Sequence, residues 1–357
     1  MKIYQRYLLR ETVAAILLVL VAFLALFGFF DLIAELKDVG HGGYQLHHAI
    51  AYVLLCLPGR VYELMPVAVL IGTLYALSTL ARHSEITVLR ASGLSTQGLL
   101  GSLFLVAALA AVTTFVIGEF VAPPAERAAN QQRMKAMGNV VAQEFRTGLW
   151  VKDERTFVNV RVVLPDARLR GVRIYEFDDA ARLRSVSDAE EGEFAAPDGW
   201  RLTGVVRTVL DGERARVEKV PEIRWQSALN PDILSVLMVV PERMSLAHLS
   251  TYIHHLSENH QKTRRYEIAL WKKMIYPLAA FVMVALALPF GYAHDRVGSV
   301  SLKIFSGVMI GIFFHMLNGL FSSLGTINNW PPLLSAVAPS ALFLLAAVAM
   351  IAWVERR

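Results

Sequence analysis

Apolar residues gather into two blocks along this chain, and the stretch between the blocks is polar. Crossing a hydrocarbon core of ~30 Å as a helix takes roughly 20 apolar residues. Six runs qualify: Thr12–Phe30, Ile50–Leu80, Leu99–Val121, Trp271–Tyr292, Leu302–Leu324 and Leu333–Val354. Pro58-Gly59-Arg60 interrupts the second run, which is too long for one straight crossing. Residues 49–57 are therefore expected to lie at the interface, with the span proper beginning near Val61. Thr12–Phe30 is longer than the core of a cleaved leader and runs on into Asp31-Leu32-Ile33, so it reads as a retained anchor.

Between the blocks the period changes. Residues 125–148 favour a helix. Short β-branched and aromatic runs follow at 148–152, 156–162, 171–177, 182–187, 193–195, 200–210 and 214–220. Pro165-Asp166, Asp178-Asp179, Pro197-Asp198-Gly199 and Asp211-Gly212 punctuate them as turns. An antiparallel all-β unit, a sandwich or open barrel, is the expected result. Met244–Lys273 returns to helical pattern, with Ser245 placed to cap it. The fold class is thus a membrane α-helical bundle of six transmembrane helices with an inserted, jellyroll-like all-β domain. Residues 1–121 hold spans one to three, 122–265 the β-domain with flanking helices, and 266–357 spans four to six.

Composition agrees: 55% of residues are hydrophobic and 18% charged, both displaced from soluble averages in the membrane direction. Charge adds an orientation. Lys2, Arg6 and Arg10, then Arg82 and Arg90, then Arg296 and Lys303, and finally Arg356 and Arg357 fall on one side of a six-span topology. Basic residues in short loops stay cytoplasmic, so both termini are expected inside and the middle domain outside. The single cysteine, Cys56, excludes an internal disulfide.

The chemistry is mostly non-catalytic. No G-x-x-x-x-G-K-[ST], H-E-x-x-H or G-x-S-x-G occurs, which removes the common nucleotide, zinc-protease and hydrolase signatures. His41, His47 and His48, and His254, His255 and His260, lack metal-ligand spacing. The segment 82–95 is more telling. Ser84 is placed to cap a helix starting at Glu85, and Gly93 to end it in a left-handed cap. The product is a two-turn amphipathic helix with Ile86, Val88 and Leu89 packed and Glu85 and Arg90 exposed. Such a helix suits docking onto a soluble motor, or simply joins two spans at the interface. Ionisable or polar groups in apolar runs are functional candidates: Asp31, Glu35, Glu63, Glu119, and His315 with Asn318 on one face of span five.

These residues resemble a family. Ser84-Glu85-Ile86-Thr87-Val88-Leu89-Arg90-Ala91-Ser92-Gly93 looks like the coupling helix of the LptF/LptG permeases of the lipopolysaccharide export ABC transporter. The order of three spans, β-domain and three spans is similar along essentially the whole chain. Ile117–Pro123, Gly148–Asp153 with Phe157-Val158, Arg265-Tyr266-Glu267 with Trp271-Lys272-Lys273, and Glu35-Leu36-Lys37 with Gly40, Gly43 and Tyr44 resemble the LptG branch.

The resemblance implies a non-catalytic inner-membrane permease subunit. Its implied partners are an LptF-like permease, an LptB-like ATPase dimer, and LptC through a transmembrane helix and a β-domain; no nucleic acid is implied. It implies no cofactor in this chain, ATP and Mg being bound by the ATPase. Lipopolysaccharide enters from the membrane and leaves through a periplasmic jellyroll. Carried onto this sequence, Glu85, Arg90, Ser84 and Gly93 couple to the ATPase. Lys37, Arg133 and Lys135 meet lipid phosphates. Phe30, Ile33, Phe314, His315, Asn318 and Phe321 line the cavity or gate, and Val158, Val160 and Ile174 an acyl groove. The family is richer in basic residues at the end of span one, where this chain has Asp31 and Asp38, so Arg133 and Lys135 carry more of that expectation. A membrane-anchored enzyme and a periplasmic scaffold or sensor are the competing readings.

Overall fold

The computed structural model describes residues 3–137, 148–153, 156–163, 168–178, 182–195, 199–211, 214–225, 241–258, 261–292 and 300–356. Among the described residues the chain opens with α1 (Ile3–Glu35), α2 (Leu46–Arg82), the short α3 (Glu85–Ala91) and α4 (Thr96–Val116). A π-turn, Ile117–Val121, leads from α4 straight into α5 (Ala122–Met137). Six strands follow: β1 (Leu149–Asp153), β2 (Thr156–Val163), β3 (Leu169–Phe177), β4 (Leu183–Phe194), β5 (Trp200–Asp211) and β6 (Arg214–Trp225). The chain returns through α6 (Leu246–Glu258), α7 (Arg264–Ile275), α8 (Ala279–Tyr292), α9 (Val300–Ile327) and α10 (Pro332–Glu355). Among the described residues, six helical stretches are long and apolar enough to span a bilayer.

The bundle has an inside and an outside. Along α2 and the α7–α8 stretch, 72% of the most apolar window is buried, against 17–22% for α1, α9 and α10. The central pair packs closely because α8 is rich in alanine: Ala279, Ala280, Ala285 and Ala287 are all buried beside Met283 and Leu286. Small side chains let helix backbones approach where lipid supplies no hydrophobic drive. Gly72 does the same for α1: a Cβ there would sit 2.6 Å from the Cα of Ile16. The outer helices instead turn Leu17, Leu18 and Val21 of α1 and Phe305, Met309 and Phe313 of α9 outward.

Three expectations change. Residues 49–57 are not a separate interfacial piece, because α2 runs unbroken through Pro58 and Pro66. In an apolar setting no water competes for the backbone, and neighbouring helices hold a proline-containing helix together. Likewise the helix of the third span does not stop at Val121 but runs on through Pro123-Pro124. Prolines have no N–H for the carbonyls of Glu119 and Phe120, and the backbone widens to a π-turn just there, with Ala122 N–H reaching Ile117 O. The single helix expected over Met244–Lys273 is two helices, α6 and α7, packed through Tyr252 and Tyr266 edge to face at 4.7 Å. Ser245 does cap α6, its Oγ accepting from His248 N–H at 3.3 Å.

The strands form one antiparallel sheet in chain order, β1 to β6. The register places Val158 opposite Ile174 and Val160 opposite Val172. Their side chains share one face with Leu169, Ala189, Trp200, Leu202 and Val205 as a buried apolar cluster. The all-β domain is as expected. Among the described residues its connectivity is a meander, without the crossing connections of a jellyroll. The runs 182–187 and 193–195 merge into one long strand, β4.

Candidate functional site

Three groupings of the candidate residues emerge, at opposite ends of the bundle and in the sheet.

At the end away from the β-domain, α3 lies between α2 and α4. Its apolar anchor is Ile86, buried in the same core as Leu8 of α1, with Leu89 partly buried beside it. Its C-terminus closes through Gly93 at φ +93°: Gly93 N–H donates to Arg90 O at 3.0 Å and Leu94 N–H to Leu89 O at 3.1 Å. This is the paired closure that a left-handed residue permits. The N-terminus differs from expectation. Ser84 itself is left-handed, at φ 60°, and its hydroxyl makes no cap. Val88 is not packed but 65% exposed. Glu85 is half-buried, and the Tyr7 hydroxyl of α1 lies beside its carboxylate. Arg90 stays exposed.

At the β-domain end, acids of α1 meet arginines of α2 and α5. Arg60 grips Asp31 with Nε to Oδ2 at 2.9 Å and NH2 to Oδ1 at 2.7 Å, while its NH1 reaches Glu63 Oε2 at 2.9 Å. Arg133 donates to Asp38 Oδ2 at 2.6 Å, stands 3.4 Å from Glu35 Oε2 and lies over the Tyr52 ring. Tyr44 donates to the same Glu35 carboxylate at 2.9 Å. Burial first, and then that carboxylate, push the Tyr44 phenol well above its ordinary pKa. Arg133 is therefore already engaged by Asp38 and Glu35. Lys37 and Lys135 are exposed and make no ion pair among the described residues.

Behind this rim, among the described residues, lie two cavities that polar side chains enter. The larger, about 250 Å³, is lined by Tyr62, Glu63, Lys272, Tyr276, His315 and Asn318 among others. The smaller, about 130 Å³, reaches Asp31, Glu35, Cys56 and Arg60. Gly59, Glu63, Glu126 and Arg243 line both. Glu126 is 6% exposed, and its Oε2 has no hydrogen-bond partner among the described residues; Arg243 Nε is 4.0 Å away. Beside the larger cavity Lys273 Nζ stands 3.5 Å from Glu119 Oε2 and donates to Met244 O, while both Glu119 oxygens accept Leu246 N–H at 3.0 Å. The π-turn, α6 and α7 are thus tied at one carboxylate. His315 and Asn318 do share a cavity-facing side of α9, although Asn318 is buried and donates to Phe314 O at 3.0 Å.

Sequence reasoning missed Arg60, Lys272, Lys273 and Arg243 as site residues. Arg60 carried a usable signal, a lone cation in a long apolar run, but was absorbed into the Pro58-Gly59 break. The expected gate also divides. Phe30 and Ile33 face outward, 56% and 43% exposed. Phe314 does not line a gate: it is 1% exposed and meets Phe343 edge to face at 5.1 Å, bracing α9 against α10. Phe321 is half-buried, 6.1 Å from the Trp330 ring. Val158, Val160 and Ile174 fill the sheet's buried cluster, so they are packed core in this state.

Volume limits what the chain holds alone. Drug-sized molecules occupy roughly 300–1,000 Å³, so a cavity of about 250 Å³ takes a handful of waters and no multi-acyl lipid. Large apolar cargo needs walls from another chain, against faces such as those of α1 and α9.

A family model described as lipopolysaccharide export system permease LptF/LptG matches residues 6–353. The chain is 31% identical over 345 residues, 96% of each chain, to the lipopolysaccharide export system permease protein LptG of Escherichia coli (strain K12). It is 28% identical over 354 residues, 99% of this chain and 98% of the other, to the LptG of Haemophilus influenzae.

Proposed function

Because the chain belongs to the LptF/LptG family of lipopolysaccharide export permeases, we propose that it is the LptG-type half of an ATP-driven lipid extractor. It pairs with an LptF-like chain across the outward apolar faces of α1 and α9, so that the two chains together enclose the lipid. A separate LptB-like ATPase dimer binds ATP and Mg and supplies the work; this chain performs no catalysis. An LptC transmembrane helix lies against α1. Both termini and α3 are cytoplasmic, and the β-domain is periplasmic, in keeping with the distribution of Lys and Arg in the short loops. Lipopolysaccharide leaves the inner membrane, passes its phosphates along Lys37 and Lys135, and moves to the β-domain when the sheet's apolar cluster opens.

The observation that carries this reading is α3. A seven-residue helix, closed at Gly93 and anchored by Ile86, holds Val88 and Arg90 outward between two membrane helices, at the end opposite the β-domain. The packing of Ile86 in one core with Leu8 gives any force on α3 a path into α1. The test is Glu85→Ala in the complex reconstituted in vesicles. The variant inserts normally and hydrolyses ATP, but releases lipid at a small fraction of the wild-type rate. Normal lipid release would reject the assignment, and a chain that isolates without any ATPase would favour a scaffold or sensor.

A further inference from the structure

The face of the sheet opposite its apolar cluster carries an aromatic patch that neither the core nor the proposed lipid path uses. Trp150 is 52% exposed and stacks on Tyr175 with centroids 5.7 Å apart; Phe157 is 39% exposed and meets Phe177 edge to face. Lys152, the register partner of Phe157, is exposed and holds its ammonium 6.0 Å from the centre of that ring. Phe157, Phe177 and Lys152 lie at the end of the sheet where β1 turns into β2 and β3 into β4, with the Trp150–Tyr175 stack one step behind.

The height of that end is set by two hydrogen bonds. Gln261 donates its side-chain amide to Lys152 O at 3.0 Å, and Arg264, three residues on, donates to Trp330 O at 2.8 Å. Trp330 lies between the two membrane helices α9 and α10. On either side of it, Ile327 is 73% exposed and Leu333 and Leu334 are 47% and 52% exposed. Outward apolar side chains this close to the connection put the hydrocarbon boundary at about its level. Three residues cover at most ~10 Å, and a headgroup layer is ~5–8 Å deep, the difference between a ~30 Å core and a 40–45 Å bilayer shared by two sides. Phe157, Phe177 and Lys152 therefore belong to the end of the sheet that is tethered beside the membrane helices.

The geometry points to a membrane foot: this end of the β-domain rests in the interfacial layer, with Phe157 and Phe177 among the headgroups and Lys152 on their phosphates. Aromatic rings and lysines gather at that depth because one part of each is apolar and another polar. A sugar platform is the other use of stacked exposed rings. The tie to the α9–α10 connection favours lipid.

The test uses Phe157→Trp in the full complex, in nanodiscs made with and without lipids brominated at the headgroup end of their acyl chains. Subtracting the wild-type emission leaves the signal from position 157. We expect brominated lipid to quench more than half of it. Difference emission unchanged by brominated lipid overturns the foot; unchanged by lipid but shifted by soluble core oligosaccharide, it identifies a sugar platform instead.

Discussion

Arg60 holds Asp31 through both of its carboxylate oxygens, at 2.7 and 2.9 Å, and so fastens the outer helix α1 to the central helix α2. Both side chains are about one-quarter exposed, and Glu63 takes the third guanidinium contact. Two-point arginine–carboxylate contacts are directional and stronger than single ones. Asp31→Ala is expected to cost about 1–3 kcal/mol, since a half-buried guanidinium loses two bonds. The Asp31→Ala/Arg60→Ala double variant is expected to cost less than the sum of the singles, with a coupling of at least ~1 kcal/mol. Thermal unfolding of the four purified proteins measures it. Strict additivity would mean that α1 is held by apolar packing alone.

Lys273 and Glu119 make a second joint. Their side chains are 7% and 12% exposed, and Glu119 also takes the first free N–H of α6. Removing one member of a buried pair leaves an uncompensated charge, at about 3–5 kcal/mol. Lys273→Met is expected to fall in that range. Glu119→Gln strands the Lys273 charge but keeps an acceptor for Leu246 N–H, so it is expected to cost less than Glu119→Ala, which loses both. The midpoints of the Gln and Ala variants in a denaturation series check this, and equal midpoints would show that the charge pair, not the cap, holds the joint.

The six spans and the strand-forming runs were legible in the sequence because each is repeated over many residues: apolar length for the helices, alternation and turn residues for the sheet. The joints were not legible. Asp31 and Arg60 are 29 positions apart, and Arg133 and Asp38 are 95 apart, so nothing local pairs them. Pro58 misled for a physical reason. Proline weighs against a helix in water, whereas in an apolar bundle the chain has nowhere else to put its backbone polar groups. Ser84 failed for a different reason: a cap needs an extended backbone, and the turn out of α2 instead puts this serine at φ 60°. The phosphate reading of Arg133 came from the resemblance, and the acids at the end of span one were read as a reason to lean on Arg133 rather than as its partners.

Arg133 and Lys135 separate structure from lipid contact. Arg133 is committed to Asp38 and Glu35, whereas Lys135 is exposed. Arg133→Glu sets a third carboxylate against two others, so it is expected to lower thermal stability by about 2 kcal/mol or more. Lys135→Glu is expected to leave stability within about 0.5 kcal/mol, the usual range for surface changes, but to reduce co-purifying lipopolysaccharide. Melting curves and lipid quantification on the same samples distinguish the two. Lipid loss confined to Arg133→Glu would return the phosphate contact to Arg133.

Gly93 sets the end of α3 by conformation alone. Its φ is +93°, and a Cβ added there meets no atom within 4 Å, so replacement causes no clash. Whatever Gly93→Ala costs is therefore backbone strain, about 1–2 kcal/mol for an L-residue forced left-handed. Asparagine tolerates that region better, so Gly93→Asn is expected to cost less. The strain can be relieved only by giving up the closure in which Gly93 and Leu94 donate to Arg90 O and Leu89 O. Amide exchange at Gly93 and Leu94 is then expected to be fastest in the alanine variant, intermediate with asparagine and slowest in the wild type. If α3 transmits the ATPase stroke, lipid release per ATP falls in the same order while membrane insertion is unchanged. An alanine variant with wild-type exchange would show that the closure survives the strain. Faster exchange with full coupling would show that force enters by another route.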